Sequence, residues 1–144
     1  MGKIKITKKL LDEYRKTKID IPLLERELHD MWTTEKGFGN SVIINGKNGS
    51  KKPETVVGFD QERYDRRKQI LQHKKEKARA VERWIESIED VETRMVFKMY
   101  YTEGLTFETI SIKLGHIRNG NYNRSGDYIR MYIRDKFLKE NEIF

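Results

Sequence analysis

Apolar residues in this chain return every three or four positions wherever they cluster. That period builds amphipathic helices, whereas a half-buried strand needs strict alternation. In residues 7–33 the stripe is Leu10, Leu11, Tyr14, Ile19, Leu23, Leu24, Leu28, Met31 and Trp32. Pro22 interrupts it, because the residue before a proline is pushed out of helical geometry and Asp20 suits the cap of a helix with proline in its first turn. Two helices, or one kinked at Pro22, are expected. In residues 60–88, Tyr64, Leu71, Ala78 and Ile85 stand seven apart, with Val81 and Ile88 on the adjoining row. This predicts one long helix. Arg67 and Lys74 interrupt the second row, so a hairpin with residues 7–33 and an intermolecular coiled coil both fit. Trp32 and Trp84 are expected to pack between the first helix and the long one. Residues 34–58 contain five glycines and Pro53, the composition of a flexible connection, with residues 41–44 ahead of Asn45 and Gly46 as a hairpin alternative.

Of the 144 residues, 36% are hydrophobic and 37% charged, enough for one modest core and an extended helical element. The expected fold class is all-α. An N-terminal helix or helical hairpin and the long central helix form a dimerisation or interaction region over residues 1–89, and a second domain follows over residues 90–144. The absence of cysteine excludes disulfides and thiolate metal sites. His29, His73 and His116 lie in separate segments, and no phosphate-cradling glycine loop or nucleophile motif occurs. No catalytic residue, metal or cofactor is expected. No apolar run has the length of a signal peptide or a membrane span, so the expected location is the cytoplasm, with no membrane partner. The net charge of +7 favours polyanions. Residues 113–139 concentrate it, holding Lys113, Arg118, Arg124, Arg130, Arg134, Lys136 and Lys139 against only Asp127 and Asp135.

The stretch DVETRMVFKMYYTEGLTFETISIKLG divides at Glu103 and Gly104, since Gly104 suits a helix end and Thr106 a helix cap. One helix is expected over residues 91–102, with Val91, Met95, Val96, Met99 and Tyr100 inward. A second is expected over residues 106–114, with Phe107, Ile110 and Leu114 inward and Gly115 closing it. Phe97 and Tyr101 also belong to packing. A third helix is expected from Ser125 or Asp127, with Ile129, Ile133 and Phe137 on its inner face and at least one of Tyr128 and Tyr132 packed. A helix, a short helix, a turn and a basic helix form the layout of helix-turn-helix DNA binders.

The run YYTEGLTFETISIKLG resembles the start of DNA-binding region 4 of bacterial sigma factors. With a long charged helix ahead of it, the whole chain is similar to small phage late-gene activators of the RinA and ArpU type. The resemblance implies a phage or prophage transcription regulator in the cytoplasm of a bacterial host. Its partners would be promoter DNA, RNA polymerase and a second copy of the chain in a dimer. The stretch 116–124 exceeds the turn of about four residues usual in such modules. A recognition helix presents its N-terminal half to base edges while cations around it hold phosphates. Tyr128, Arg130, Met131 and Arg134 are therefore expected to face DNA, with the two arginines suited to guanine edges. Asn123 and Ser125 are expected on the backbone at the helix start, and Lys113, Arg118, Arg124 and Lys139 on phosphates. The competing readings are a terminase small subunit that recognises packaging-site DNA, and an adaptor that binds polymerase without touching DNA.

Overall fold

The computed structural model describes residues 4–35 and 60–144; the expected hairpin at 41–44 and the connection around it lie outside the described residues. Every regular element among the described residues is helical. The order is α1 (Lys8–Asp12), α2 (Tyr14–Asp30) extended by a π-wound turn at Met31–Glu35, α3 (Gln61–Glu86), α4 (Val91–Phe97) extended by a π-wound turn at Lys98–Thr102, and α5 (Phe107–Ile117). The last helix begins as α6 (Gly126–Tyr128), takes π winding over Ile129–Asp135 and ends as α7 (Lys136–Glu140). The fold is all-α with a long central helix, α3. No helix among the described residues is long and apolar enough to cross a membrane.

The N-terminal break falls at Glu13, the residue between α1 and α2, and not at Pro22, which lies inside α2. Asp20 caps no new helix but pairs with Lys74 at 3.2 Å. Packing explains the continuity: Ile21, Leu24 and Leu28 on either side of the proline share a cluster with Met31, Tyr64 and Leu71. Burying several such side chains outweighs the single backbone hydrogen bond that a proline removes.

The chain divides into two compact units, Lys18–Lys75 on the one hand and Met1–Thr17 with Glu76–Phe144 on the other. The Lys18–Lys75 unit is a hairpin of α2 and α3 around that cluster. Arg67 bonds to Glu27 at 2.9 Å and Lys75 to Glu25 at 3.1 Å, beside the Lys74–Asp20 pair. Each such pair contributes under about 1 kcal/mol, yet together they fix which residues of the two helices stand opposite. Arg67 and Lys74 thus interrupt the heptad for a reason: they hold the register of an intramolecular hairpin. Trp32, expected to pack between the first helix and the long one, lies 5.9 Å from Tyr64 of α3 but remains 40% exposed.

The other unit joins the two ends of the chain. The Lys8 N–H donates to the Phe144 carbonyl at 3.1 Å, and Leu10, Leu11 and Tyr14 are buried, as are Ala78, Val81, Ile85 and Ile88. The Tyr14 hydroxyl donates to the Glu82 carboxylate, and burial together with that carboxylate pushes the phenol well above its usual range. So α1 and the end of α3 pack with the C-terminal helices, and no compact-unit boundary falls at residue 89. Trp84 differs from expectation for the same reason. Its ring meets Phe97 at 5.6 Å and Phe137 at 6.0 Å, inside the C-terminal core.

Candidate nucleic-acid interface

Three side-chain caps build the C-terminal helices. The Asp90 carboxylate accepts the Thr93 N–H at 3.0 Å and its hydroxyl at 2.8 Å, starting α4; these bonds hold the acid below its usual pKa. Thr106 accepts the Thr109 N–H at 3.1 Å to start α5, after Gly104 has turned the chain at φ +73°. Ser125 accepts the Tyr128 N–H at 3.1 Å and starts the last helix. Gly115, expected to close α5, lies within it. The helix ends later, where Asn119 (φ 54°) and Gly120 (φ 82°) turn left-handed and the Gly120 N–H donates to the Gly115 carbonyl at 2.7 Å.

The extra residues between α5 and the last helix are fastened at three points. The Tyr122 hydroxyl donates to Glu92 of α4 at 2.7 Å, Arg124 Nη1 reaches the same carboxylate at 2.7 Å, and the Ser111 hydroxyl of α5 donates to the Arg124 carbonyl at 2.7 Å. Burial and the Glu92 carboxylate push the Tyr122 phenol upward, against the pull of Arg124 and Arg118. Gly126 then lies so close to α5 that an added Cβ would stand 3.0 Å from the Glu108 nitrogen. The core beneath consists of Val96, Met99, Ile110, Leu114, Ile129 and Ile133, with Met95, Tyr100, Leu105, Phe107 and Tyr122 at its edge. Phe97 and Tyr101 are buried as expected, and Tyr100 stacks on Phe107 at 4.3 Å.

The last helix corrects the sequence reading at Arg134. Its guanidinium does not face outward: the residue is 8% exposed, Nη1 donates to the Tyr101 hydroxyl at 3.3 Å, Nε bonds to Asp135, and the charge sits 5.2 Å and 5.1 Å from the Tyr100 and Phe107 ring centres. Burial works against its charge, but Tyr101 and Asp135 more than offset that and keep the group firmly protonated. Burial raises the Tyr101 phenol, and Arg134 opposes the rise. Leu138, four residues on and so on the same side of the helix, is also buried, and the sequence reading had left it out of the inner face. The buried face is thus wider than the Ile129, Ile133 and Phe137 stripe, and it takes in Arg134, which lies between Phe137 and Leu138 around the helix.

Arg130 stands half-exposed between two acids, with Asp127 at 3.5 Å and Asp135 at 3.9 Å. Met131 is 43% exposed. Neither tyrosine packs inward: Tyr128 is 37% and Tyr132 56% exposed, and their rings lie 5.0 Å apart. Arg124 is committed to Glu92 and also lies over the Tyr128 ring at 4.8 Å. Ser125 is used as a cap, while Asn123, Lys113, Arg118, Lys136 and Lys139 are exposed. The structure therefore gathers Arg124, Tyr128, Arg130, Met131 and Tyr132 on the start of one helix and withdraws Arg134. Tyr132 is the residue the sequence left undecided. Its position, three residues after Ile129 and one before Ile133, gave no sign of which side it takes. No group of three or more potential metal ligands occurs among the described residues. Comparison with protein-family models, with curated proteins and with solved structures found no match.

Proposed function

We propose that this chain is a sequence-specific double-stranded DNA-binding transcriptional regulator of phage or prophage origin, which places the start of the 126–140 helix in the major groove. One observation carries the reading: a helix newly begun at the Ser125 cap seals Ile129 and Ile133 into the core and turns Tyr128, Arg130, Met131 and Tyr132 toward solvent. That is the presentation a groove-reading helix requires. Exposed Lys113, Arg118 and Lys139 supply phosphate contacts, and the resemblance of residues 100–115 to sigma region 4 supports promoter DNA as the target. RNA polymerase and a second copy of the chain are the protein partners in this reading.

The test is binding of the purified chain to random-sequence and selected duplexes by fluorescence anisotropy from 50 to 200 mM salt. Affinity is expected to fall linearly with log salt, and Lys113→Ala or Arg118→Ala each to reduce the slope by about 1. No binding of any duplex at low salt would overturn the proposal. The exposed Tyr128, Met131 and Tyr132 also favour a second reading, an adaptor that docks on polymerase. That adaptor would capture polymerase and ignore duplex DNA.

A further inference from the structure

We infer that the exposed start of the last helix reads thymine: Tyr128, Met131 and Tyr132 contact the 5-methyl groups of thymines in the major groove, and guanine is not its principal target. The inference rests on the DNA-binding reading above and deepens it.

Guanine is ordinarily read by an arginine that offers two donors to its O6 and N7. Only one arginine of this helix, Arg130, remains accessible for that task. Arg134 is buried under Tyr100 and Phe107, and Arg130 is held between Asp127 and Asp135, whose carboxylates compete for the donors guanine would need. What the helix offers outward is apolar. Met131 and Tyr132 stand three and four residues after Tyr128, the two tyrosine rings are 5.0 Å apart, and together the three expose on the order of 300 Å². In the major groove, thymine is the base that presents a methyl group, and apolar side chains recognise it there.

The same dimensions argue for DNA over a protein as the occupant. A standard protein interface takes about 800 Å² from each partner, well beyond this strip. The strip also has a cationic border, with the Arg124 guanidinium 4.8 Å from the Tyr128 ring and Lys136 and Lys139 exposed further along the helix. An apolar line one helix wide beside cations complements a groove that displays methyl groups between two phosphate backbones.

The experiment uses the full chain and duplexes chosen by selection from random sequence. Selected sites are expected to carry two or three neighbouring T·A pairs at fixed positions. Replacing those thymines by deoxyuridine, which lacks only the methyl, is expected to weaken binding roughly fourfold for each methyl lost, the effect of one buried methyl-sized group. Placing 5-methylcytosine, whose methyl occupies the same groove position, is expected to recover part of the affinity where plain cytosine does not. Met131→Ala and Tyr132→Ala alter exposed side chains, so the fold should persist; each is expected to flatten the thymine-to-uracil difference while leaving salt-dependent non-specific binding in place. Duplex binding that is equal for thymine and uracil overturns this inference and leaves the DNA-binding reading standing. Duplex binding indifferent to all three side chains assigns the strip to a protein and also overturns it. Failure to bind any duplex removes both readings together.

Discussion

Replacing Arg134 by alanine should destabilise the protein far more than replacing Arg130, although both arginines sit on the same helix four residues apart. The Arg134 guanidinium donates to the Tyr101 hydroxyl at 3.3 Å, bonds to Asp135, and lies about 5 Å from two aromatic ring centres in a site where the residue is 8% exposed. A charged hydrogen bond contributes about 1.5–3 kcal/mol and a desolvated cation–π contact about 2 kcal/mol. Alanine also leaves the buried Tyr101 hydroxyl without its donor. Against these stands the desolvation cost of the arginine, which the substitution relieves. The balance is a loss of about 3 kcal/mol. For a chain of this size that lowers Tm by about 10 °C, at roughly 3 °C per kcal/mol. Arg130 is half-exposed with ion pairs at 3.5 and 3.9 Å, so Arg130→Ala should cost under about 1 kcal/mol. Arg134→Lys keeps the charge but loses the fork that reaches Tyr101 and Asp135 together, and should fall between the two. Thermal unfolding followed by circular dichroism decides the matter. A Tm for Arg134→Ala within 2–3 °C of the parent, combined with lost DNA affinity, would refute the buried placement and restore Arg134 to the DNA-facing side.

The start of the last helix depends on its cap, so Ser125→Ala should cost about 1 kcal/mol in urea unfolding while Ser125→Asp costs little; equal losses would remove the cap from the account. Gly126→Ala adds a Cβ 3.0 Å from the Glu108 backbone nitrogen, so the usual gain of alanine in a helix should reverse to a loss of about 1–2 kcal/mol, and a more stable variant would contradict the close approach. Because hydrogen bonds from Thr93 lower the Asp90 pKa in the folded state, its contribution is complete above the ordinary value of 3.8 and is lost as pH falls through the depressed one. Asp90→Asn, which keeps a capping oxygen, should therefore flatten the fall in stability below about pH 4, and an unchanged acid profile would count against this source.

For the proposed function, the buried arginine changes what a mutational test means. Weaker DNA binding on alanine substitution at Arg134 would report a loosened helix and not a lost base contact. The informative positions are Tyr128, Met131 and Tyr132, together with Lys113, Arg118 and Lys139, whose exposure lets them be altered without disturbing the core.

Local chemistry was enough to determine much of this protein. Helical period and caps foretold the all-α class, the long helix, the turn at Gly104, a start at Ser125 or Asp127 and the inward residues Val96, Met99, Ile110, Leu114, Ile129 and Ile133, because each depends on neighbours within a few positions, whereas Val91, expected inward in the first turn of α4, is 62% exposed. Tertiary contacts decided the rest. Continuity through Pro22 came from packing on α3, and the pairing of α1 with the chain's last residues from contacts more than a hundred positions apart. The direction of Arg134 was decided the same way. The stripe of Ile129, Ile133 and Phe137 leaves a charged residue beside it to solvent, and only the aromatic pocket of Tyr100 and Phe107, built from two other helices, can hold a guanidinium that its residue type alone would place outside.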